Sequence, residues 1–88
     1  MNLVNGINLF RAKNFNDANK LFLNLYRKNK ENYEINFYLG LSYFELNSFD
    51  KSIKHLKISI KSKPNFYRAL YNLGLVYQTL GKINLAKN

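Results

Sequence analysis

The sequence predicts an all-α protein built from about two and a half copies of a helix-turn-helix unit. Apolar residues spaced three and four apart, with turn residues or proline between the segments, predict helices in each copy. The copies follow a 34-residue period, which Gly6, Gly40 and Gly74 mark. Four more columns of small or apolar residues keep this period: Ile7, Leu41 and Leu75; Ala12, Leu46 and Leu80; Phe15, Phe49 and Ile83; Ala18, Ser52 and Ala86.

The helices of the first two copies are bounded by turn and capping residues. In the first copy, Asn14 is the predicted N-cap of a helix over residues 15–29. In the second copy, a helix over residues 33–46 is apolar around most of its circumference. Ser48 is the predicted N-cap of the next helix, which runs to about residue 63 and has lysines on its outer face. Pro64 ends that helix because it cannot donate the next backbone hydrogen bond.

The third copy is incomplete. Its first helix is predicted to open at Phe66 and to turn at Gly81, which leaves only "INLAKN" for a second helix. The whole chain, residues 1–88, is predicted to be a single domain with repeats at about 1–32, 33–66 and 67–88. Gly40 and Gly74 lack a Cβ, so we expect the second helix of each copy to approach them closely, with Ser52 and Ala86 facing them.

The order Leu-Gly-x-x-Tyr, then small-x-x-x-large, then Pro resembles the tetratricopeptide repeat (TPR) family. The second copy carries the motif residues Leu39, Gly40, Tyr43, Ser52, Leu56 and Pro64. The third copy carries Leu73, Gly74, Tyr77 and Ala86, and the first carries Gly6, Ala18 and Phe22. Asn36 or Leu70 stands where the family usually has Trp, and Lys30 stands where Pro is usual. The resemblance covers essentially the whole chain and implies a right-handed α-solenoid that acts as a protein-binding scaffold.

The composition excludes several classes of protein. The chain has no cysteine, so neither disulfides nor thiolate metal sites are expected. No apolar run reaches the about 18 residues that a membrane span requires, and the N-terminus lacks the features of a signal peptide. We therefore expect a cytoplasmic protein that does not enter a membrane. The net charge of +9 comes mostly from scattered lysines, which an AT-rich coding sequence also produces.

Catalytic chemistry is not expected. His55 is the only histidine, has no second ligand or base at motif spacing, and is predicted to be a surface residue. The glycines are isolated in the sequence and do not form a phosphate-binding loop. The sequence therefore predicts no enzyme, no cofactor and no metal site.

The resemblance implies a concave groove lined by the first helix of each copy. Carried over by position, its residues are Leu3, Ile7, Phe10, Arg11, Glu34, Phe37, Tyr38, Leu41, Phe44, Glu45, Arg68, Tyr71, Asn72, Leu75 and Gln78. Most are apolar or aromatic, so we expect the groove to bind an apolar peptide or helix, with Phe37 and Phe44 as anchors. Family members that clamp a chaperone's terminal carboxylate use Lys, Asn and Arg at five of these positions. This chain has Leu3, Ile7, Tyr38, Arg68 and Asn72 there, so no such clamp is expected.

Two alternatives to a partner-binding groove remain open. The apolar columns are also explained by self-association, or by stacking within a longer repeat array, because the last helix is short and no polar capping helix is present. Nucleic-acid contact is the less favoured alternative. It would use the face formed by Lys51, Lys54, Lys57 and Lys61, but no exposed aromatic residues alternate with these lysines.

Overall fold

A computed structural model describes the backbone of residues 2–87 and the side chains of residues 2–84. Residues 2–87 form no strand and contain these helices: α1 (Leu3–Arg11), α2 (Phe15–Lys28), α3 (Tyr33–Glu45), α4 (Phe49–Ser62) and α5 (Tyr67–Lys87). The predicted all-α fold is confirmed, and the bounds of α2, α3 and α4 agree with the sequence prediction to within one residue. The molecule is elongated, with principal extents of 43 × 28 × 19 Å.

Asparagine and serine residues stand at the helix starts. The side chains of Asn2 and Asn32 cap α1 and α3 by accepting a hydrogen bond, 3.0 Å in each case, from the backbone N–H three residues later. Asn14 and Ser48 occupy the N-cap positions of α2 and α4, as predicted, but their side chains make no capping hydrogen bond. Pro64 follows the end of α4 by two residues, where its missing N–H interrupts no helical hydrogen bond.

The two turns inside the first two copies have the same geometry. Lys13 and Asn47 occupy equivalent positions in the repeat, and both adopt left-handed backbone conformations, with φ of 64° and 62°. Each donates its N–H to the carbonyl three residues earlier, at 2.9 and 3.0 Å. The next residue donates to the carbonyl five residues earlier, at 2.9 and 2.8 Å. This pair of bonds is a Schellman motif, which satisfies the last carbonyls of the helix and reverses the chain.

The third copy does not turn. Gly81 falls in the same column as Lys13 and Asn47, and glycine is the residue best suited to a left-handed conformation. Nevertheless α5 continues through Gly81 to Lys87, and none of the glycines, all of which the structure describes, has a positive φ. The predicted turn was therefore wrong. A turn at Gly81 would break the helical hydrogen bonds of the backbone there, and packing of the following segment would have to compensate for that loss. A Cβ on Gly81 would meet no described atom within 4 Å, so no such packing is seen at this position.

Two buried clusters join successive copies. The first joins α2 to α3 and contains Ala18, Leu21, Phe22, Leu39 and Tyr43. The second joins α3 and α4 to α5 and contains Phe37, Leu56, Ala69 and Val76. Each large side chain buried in this way contributes about 1.5–3 kcal/mol of transfer free energy. Because each cluster spans neighbouring copies, the copies depend on one another for stability.

The close approach at the second-copy glycine is confirmed. A Cβ on Gly40 would lie 2.9 Å from Cγ of Leu56, and the Ser52 hydroxyl donates a 2.8 Å hydrogen bond to the Gly40 carbonyl. The corresponding expectation for Gly74 was wrong, since a Cβ there would meet no described atom within 4 Å. Ala86 was expected to face it, but its side chain lies outside the described residues. Because α5 continues as a helix past Gly81, no described side chain covers this face of Gly74.

Candidate functional site

The predicted groove residues lie on α1, α3 and α5, and α3 contacts both of the others. The structure brings together a half-buried, largely apolar set on these helices: Leu3, Ile7, Phe10, Tyr38, Leu41, Phe44, Asn72 and Leu75. A second set, mostly charged, is exposed: Arg11, Glu34, Glu45, Arg68, Tyr71 and Gln78. The surface is therefore apolar and carries exposed groups of both charges.

Phe37 does not belong to this accessible surface. Its side chain is 0% exposed, and its ring lies edge-on to the rings of Phe66 and Tyr38, with centroids 5.0 and 5.1 Å apart. The guanidinium of Arg68 lies 4.9 Å from the ring centroid. Phe37 is thus a core residue at the contact between α3 and α5, and the expectation that it anchors a partner was wrong.

One row of the predicted groove is half-buried in every copy. Ile7, Leu41 and Leu75 occupy the same repeat column on α1, α3 and α5, and each of them is half-buried. Phe44 is also half-buried, and its ring contacts Phe49 with centroids 5.7 Å apart. Tyr71 is 68% exposed. Partly covered apolar side chains of this kind lose further contact with water when a partner binds.

At the carboxylate-clamp positions, the only cation is already engaged. Arg68 lies over the ring of Phe37, and its carbonyl accepts a 2.7 Å hydrogen bond from Nδ2 of Asn72. The remaining positions are Leu3, Ile7 and Tyr38, and all three side chains are half-buried. The chemistry at these five positions therefore favours apolar contact over recognition of a carboxylate.

His55 is buried, which contradicts the predicted surface position. Only 4% of the residue is exposed, and its Nδ1 lies 2.9 Å from Oδ1 of Asn36 on α3. The ring stacks on Tyr43 with centroids 5.6 Å apart and meets the ring of Tyr26 edge-on at 4.8 Å. The imidazole thus joins α4 to α3 and, through Tyr26, to α2 of the preceding copy.

The hydrogen bonds of Asn36 define the tautomer of this histidine. Nδ2 of Asn36 donates to the carbonyls of Lys30 and Asn32 at 3.0 and 2.8 Å, so both amide hydrogens are used. Oδ1 must therefore accept the hydrogen bond, and Nδ1 of His55 carries the proton. Burial and, secondarily, the charge of Lys54 lower the pKa of His55 to about 4. The ring is neutral at physiological pH and contributes to stability.

A signal for the burial of His55 was present in the repeat. The equivalent position in the first copy is Leu21, which belongs to the first buried cluster. Asn36 occupies the column where the family usually has Trp, and it is 0% exposed. His55 thus takes a buried position that is apolar in the first copy, Asn36 takes the buried position of the usual Trp, and the two polar side chains satisfy each other.

The other surfaces divide clearly between charged and apolar. Lys51, Lys54, Lys57 and Lys61 are all exposed along α4. Four of the five exposed large apolar residues lie on α5, and the fifth lies on α1: Tyr67, Leu70, Tyr71, Tyr77 and Val4. The described residues include no group of three or more metal-ligating side chains. Among the same residues, no helix combines the length and hydropathy needed to cross a membrane.

Comparison with known proteins agrees with the internal repeat. A family model described as TPR repeat matches residues 40–81, from Gly40 in the second copy to Gly81 on α5. No curated protein sequence matches the chain. Repeats of this family generally mediate protein–protein interactions and are typically non-catalytic. The match covers 42 of the 88 residues and, with the 34-residue period and the paired helices, supports the assignment of the chain to the tetratricopeptide-repeat family.

Proposed function

We propose that the chain is a non-catalytic scaffold that binds an apolar peptide or helix on the face formed by α1, α3 and α5. The observation that carries this proposal is the half-buried row of Ile7, Leu41 and Leu75. These side chains retain apolar surface that the chain itself does not cover, and a contiguous patch of this kind is typical of an interaction site.

The composition of this face favours a peptide over a nucleic acid. Its exposed charges have both signs, with Glu34 and Glu45 as well as Arg11 and Arg68, so it does not form a uniformly basic surface. A helix or extended segment with apolar residues at regular spacing fits such a face. Charged flanks on the ligand would set its orientation.

A peptide selection tests the proposal. A library of random peptides displayed on phage is selected against the immobilised chain, and selected peptides are synthesised and titrated. We expect them to share an apolar core. The double substitution Leu41→Ala with Tyr71→Ala should weaken their binding by roughly tenfold or more, as expected for interface anchors.

Tyr77→Ala is the matched control. Tyr77 is an aromatic residue on the same helix, is 47% exposed and lies on a different side of α5, six residues from Tyr71. Its removal should leave peptide affinity unchanged. Equal loss in both variants, or no loss with Leu41→Ala and Tyr71→Ala while both remain folded, would reject the proposed surface.

A further inference from the structure

The outer side of α5 carries a stripe of alternating large and small residues. It consists of Leu70, Gly74, Tyr77 and Gly81, whose spacings of four, three and four place them along one side of a helix. Leu70 and Tyr77 are 42% and 47% exposed. A Cβ built on either glycine would meet no described atom within 4 Å. We call these four residues the α5 stripe, and all four are uncharged.

The corresponding side of α1 and of α3 is covered in this structure. A Cβ on Gly6 would clash with the ring of Phe22, and one on Gly40 would lie 2.9 Å from Cγ of Leu56. In both copies, a neighbouring helix places a large apolar side chain over the glycine. The α5 stripe repeats the glycine of this interface, and no described side chain covers it.

The spacing of the α5 stripe makes it complementary to itself. Consider two antiparallel α5 helices related by a two-fold axis midway between Gly74 and Tyr77. In this arrangement each Tyr77 lies over Gly74 of the other copy. The same axis places each Leu70 over Gly81 of the other copy, so each large side chain of the stripe faces a glycine. We propose that a second copy of this chain binds here, through antiparallel pairing of the two α5 helices. The contact continues the large-residue-on-glycine interface that joins α1 to α2 and α3 to α4.

Area and charge define how strong this pairing is. Four residues from each copy form a contact well below the about 800 Å² per partner of a standard stable interface, so dissociation constants in the micromolar to millimolar range are expected. The net charge of +9 opposes association. Added salt screens this repulsion, so the pairing should strengthen with ionic strength.

Sedimentation equilibrium over a wide range of concentration tests the pairing. The wild-type chain should shift from monomer to dimer with rising concentration, and more so in high salt. Gly74→Gln fills the gap without a clash in the monomer and should remain monomeric. Val4→Gln removes the 62% exposed apolar residue at the other end of the molecule and should dimerise like the wild type.

Two outcomes would overturn the proposal. A wild-type chain that stays monomeric at every concentration and salt level would show that the α5 stripe does not pair with a second copy. Dimerisation that survives Gly74→Gln, or is lost with Val4→Gln, would place the contact elsewhere. Tyr71→Ala should leave dimerisation intact, so failure of the peptide-binding proposal and failure of this one give different results.

Cysteine cross-linking tests the antiparallel register. The chain contains no cysteine, so a single one can be introduced cleanly. A mixture of Leu70→Cys and Gly81→Cys chains should form a disulfide between the two species, since these positions face each other. Either chain alone should cross-link poorly, because two copies of residue 70 lie about 16 Å apart along the axis, beyond the reach of a disulfide. Efficient cross-linking of Leu70→Cys with itself would indicate parallel pairing and refute the register. A mixture of Leu70→Cys with Val4→Cys is the control for random collision.

Discussion

Acid should destabilise this protein through His55, the buried imidazole between Tyr26 and Tyr43. Its pKa in the folded chain is lowered to about 4, from an ordinary value of 6.5. Below pH 6.5 the unfolded chain binds a proton that the folded chain excludes. The stability contributed by the neutral ring is therefore complete above pH 6.5 and is lost progressively as the pH falls towards 4.

The size of the effect follows from the difference between the two pKa values. Each pKa unit corresponds to about 1.4 kcal/mol, so complete loss of this contribution amounts to about 3 kcal/mol. At pH 5, where the unfolded histidine is almost fully protonated and the folded one is not, the loss is about 2 kcal/mol. A small domain has only about 5–15 kcal/mol of total stability, so this change is readily measured.

Urea unfolding at several pH values between 7.5 and 4.5, followed by circular dichroism, measures this dependence. His55→Gln is the control, since its amide can still donate a hydrogen bond to Asn36 but does not titrate in this range. His55 is the only histidine, and the carboxyl groups are common to both chains. The difference between the two pH profiles therefore isolates the imidazole.

Parallel profiles for the wild type and His55→Gln would refute the reasoning. A second test is direct, because the carbon-bound protons of the imidazole report its titration by NMR. A midpoint near 6.5 in the folded protein would show that the ring is solvated, in contradiction to its contacts with Asn36 and the two tyrosines.

Three further substitutions are tested by urea unfolding in dilute solution, where the chains are monomeric. Gly40→Ala should destabilise the fold by about 1–3 kcal/mol, because the new Cβ meets buried Leu56, whereas Gly74→Ala should stabilise it by up to about 1 kcal/mol. Equal effects of the two would contradict the different packing at these glycines. Phe37→Ala should cost about 3–5 kcal/mol, since the ring is completely buried; a cost below about 1 kcal/mol would mean that it is accessible after all. Ser59→Ala should cost about 1 kcal/mol, because its hydroxyl donates a 2.8 Å hydrogen bond to the carbonyl of Tyr33, and an unchanged midpoint would show that this bond contributes nothing.

Features that depend on local sequence were predictable. The bounds of α2, α3 and α4 follow from apolar spacing, capping positions and Pro64, and each of these acts within a few residues. The close approach at Gly40 was also predictable, because the period aligned it with Gly6 and its copy contains a complete second helix. Predictions of this kind succeed where each copy has the same neighbours as the one before it.

Predictions for side chains that depend on neighbouring helices were less successful. Phe37 was assigned to the groove with Leu3 and Tyr71, yet α5 covers it, while Tyr71 is 68% exposed. His55 was assigned to the surface from its polarity, yet a partner for its Nδ1 is supplied from α3. Such contacts are absent from any single helix, so the repeat column was the better guide for His55 than its residue type.

The sequence by itself determined that this chain is all-α and built from a repeated helix pair that resembles the TPR, because the 34-residue period and the small-residue columns encode the pairing of helices within each copy. The tertiary structure decided what happens where that pattern meets a different environment. Gly81 has the residue type of a turn and lies in a helix, because a turn is stabilised by the packing of the helix that follows it, and no described side chain packs against α5 at Gly81. The same missing cover leaves the α5 stripe open, with Leu70 and Tyr77 exposed on either side of Gly74.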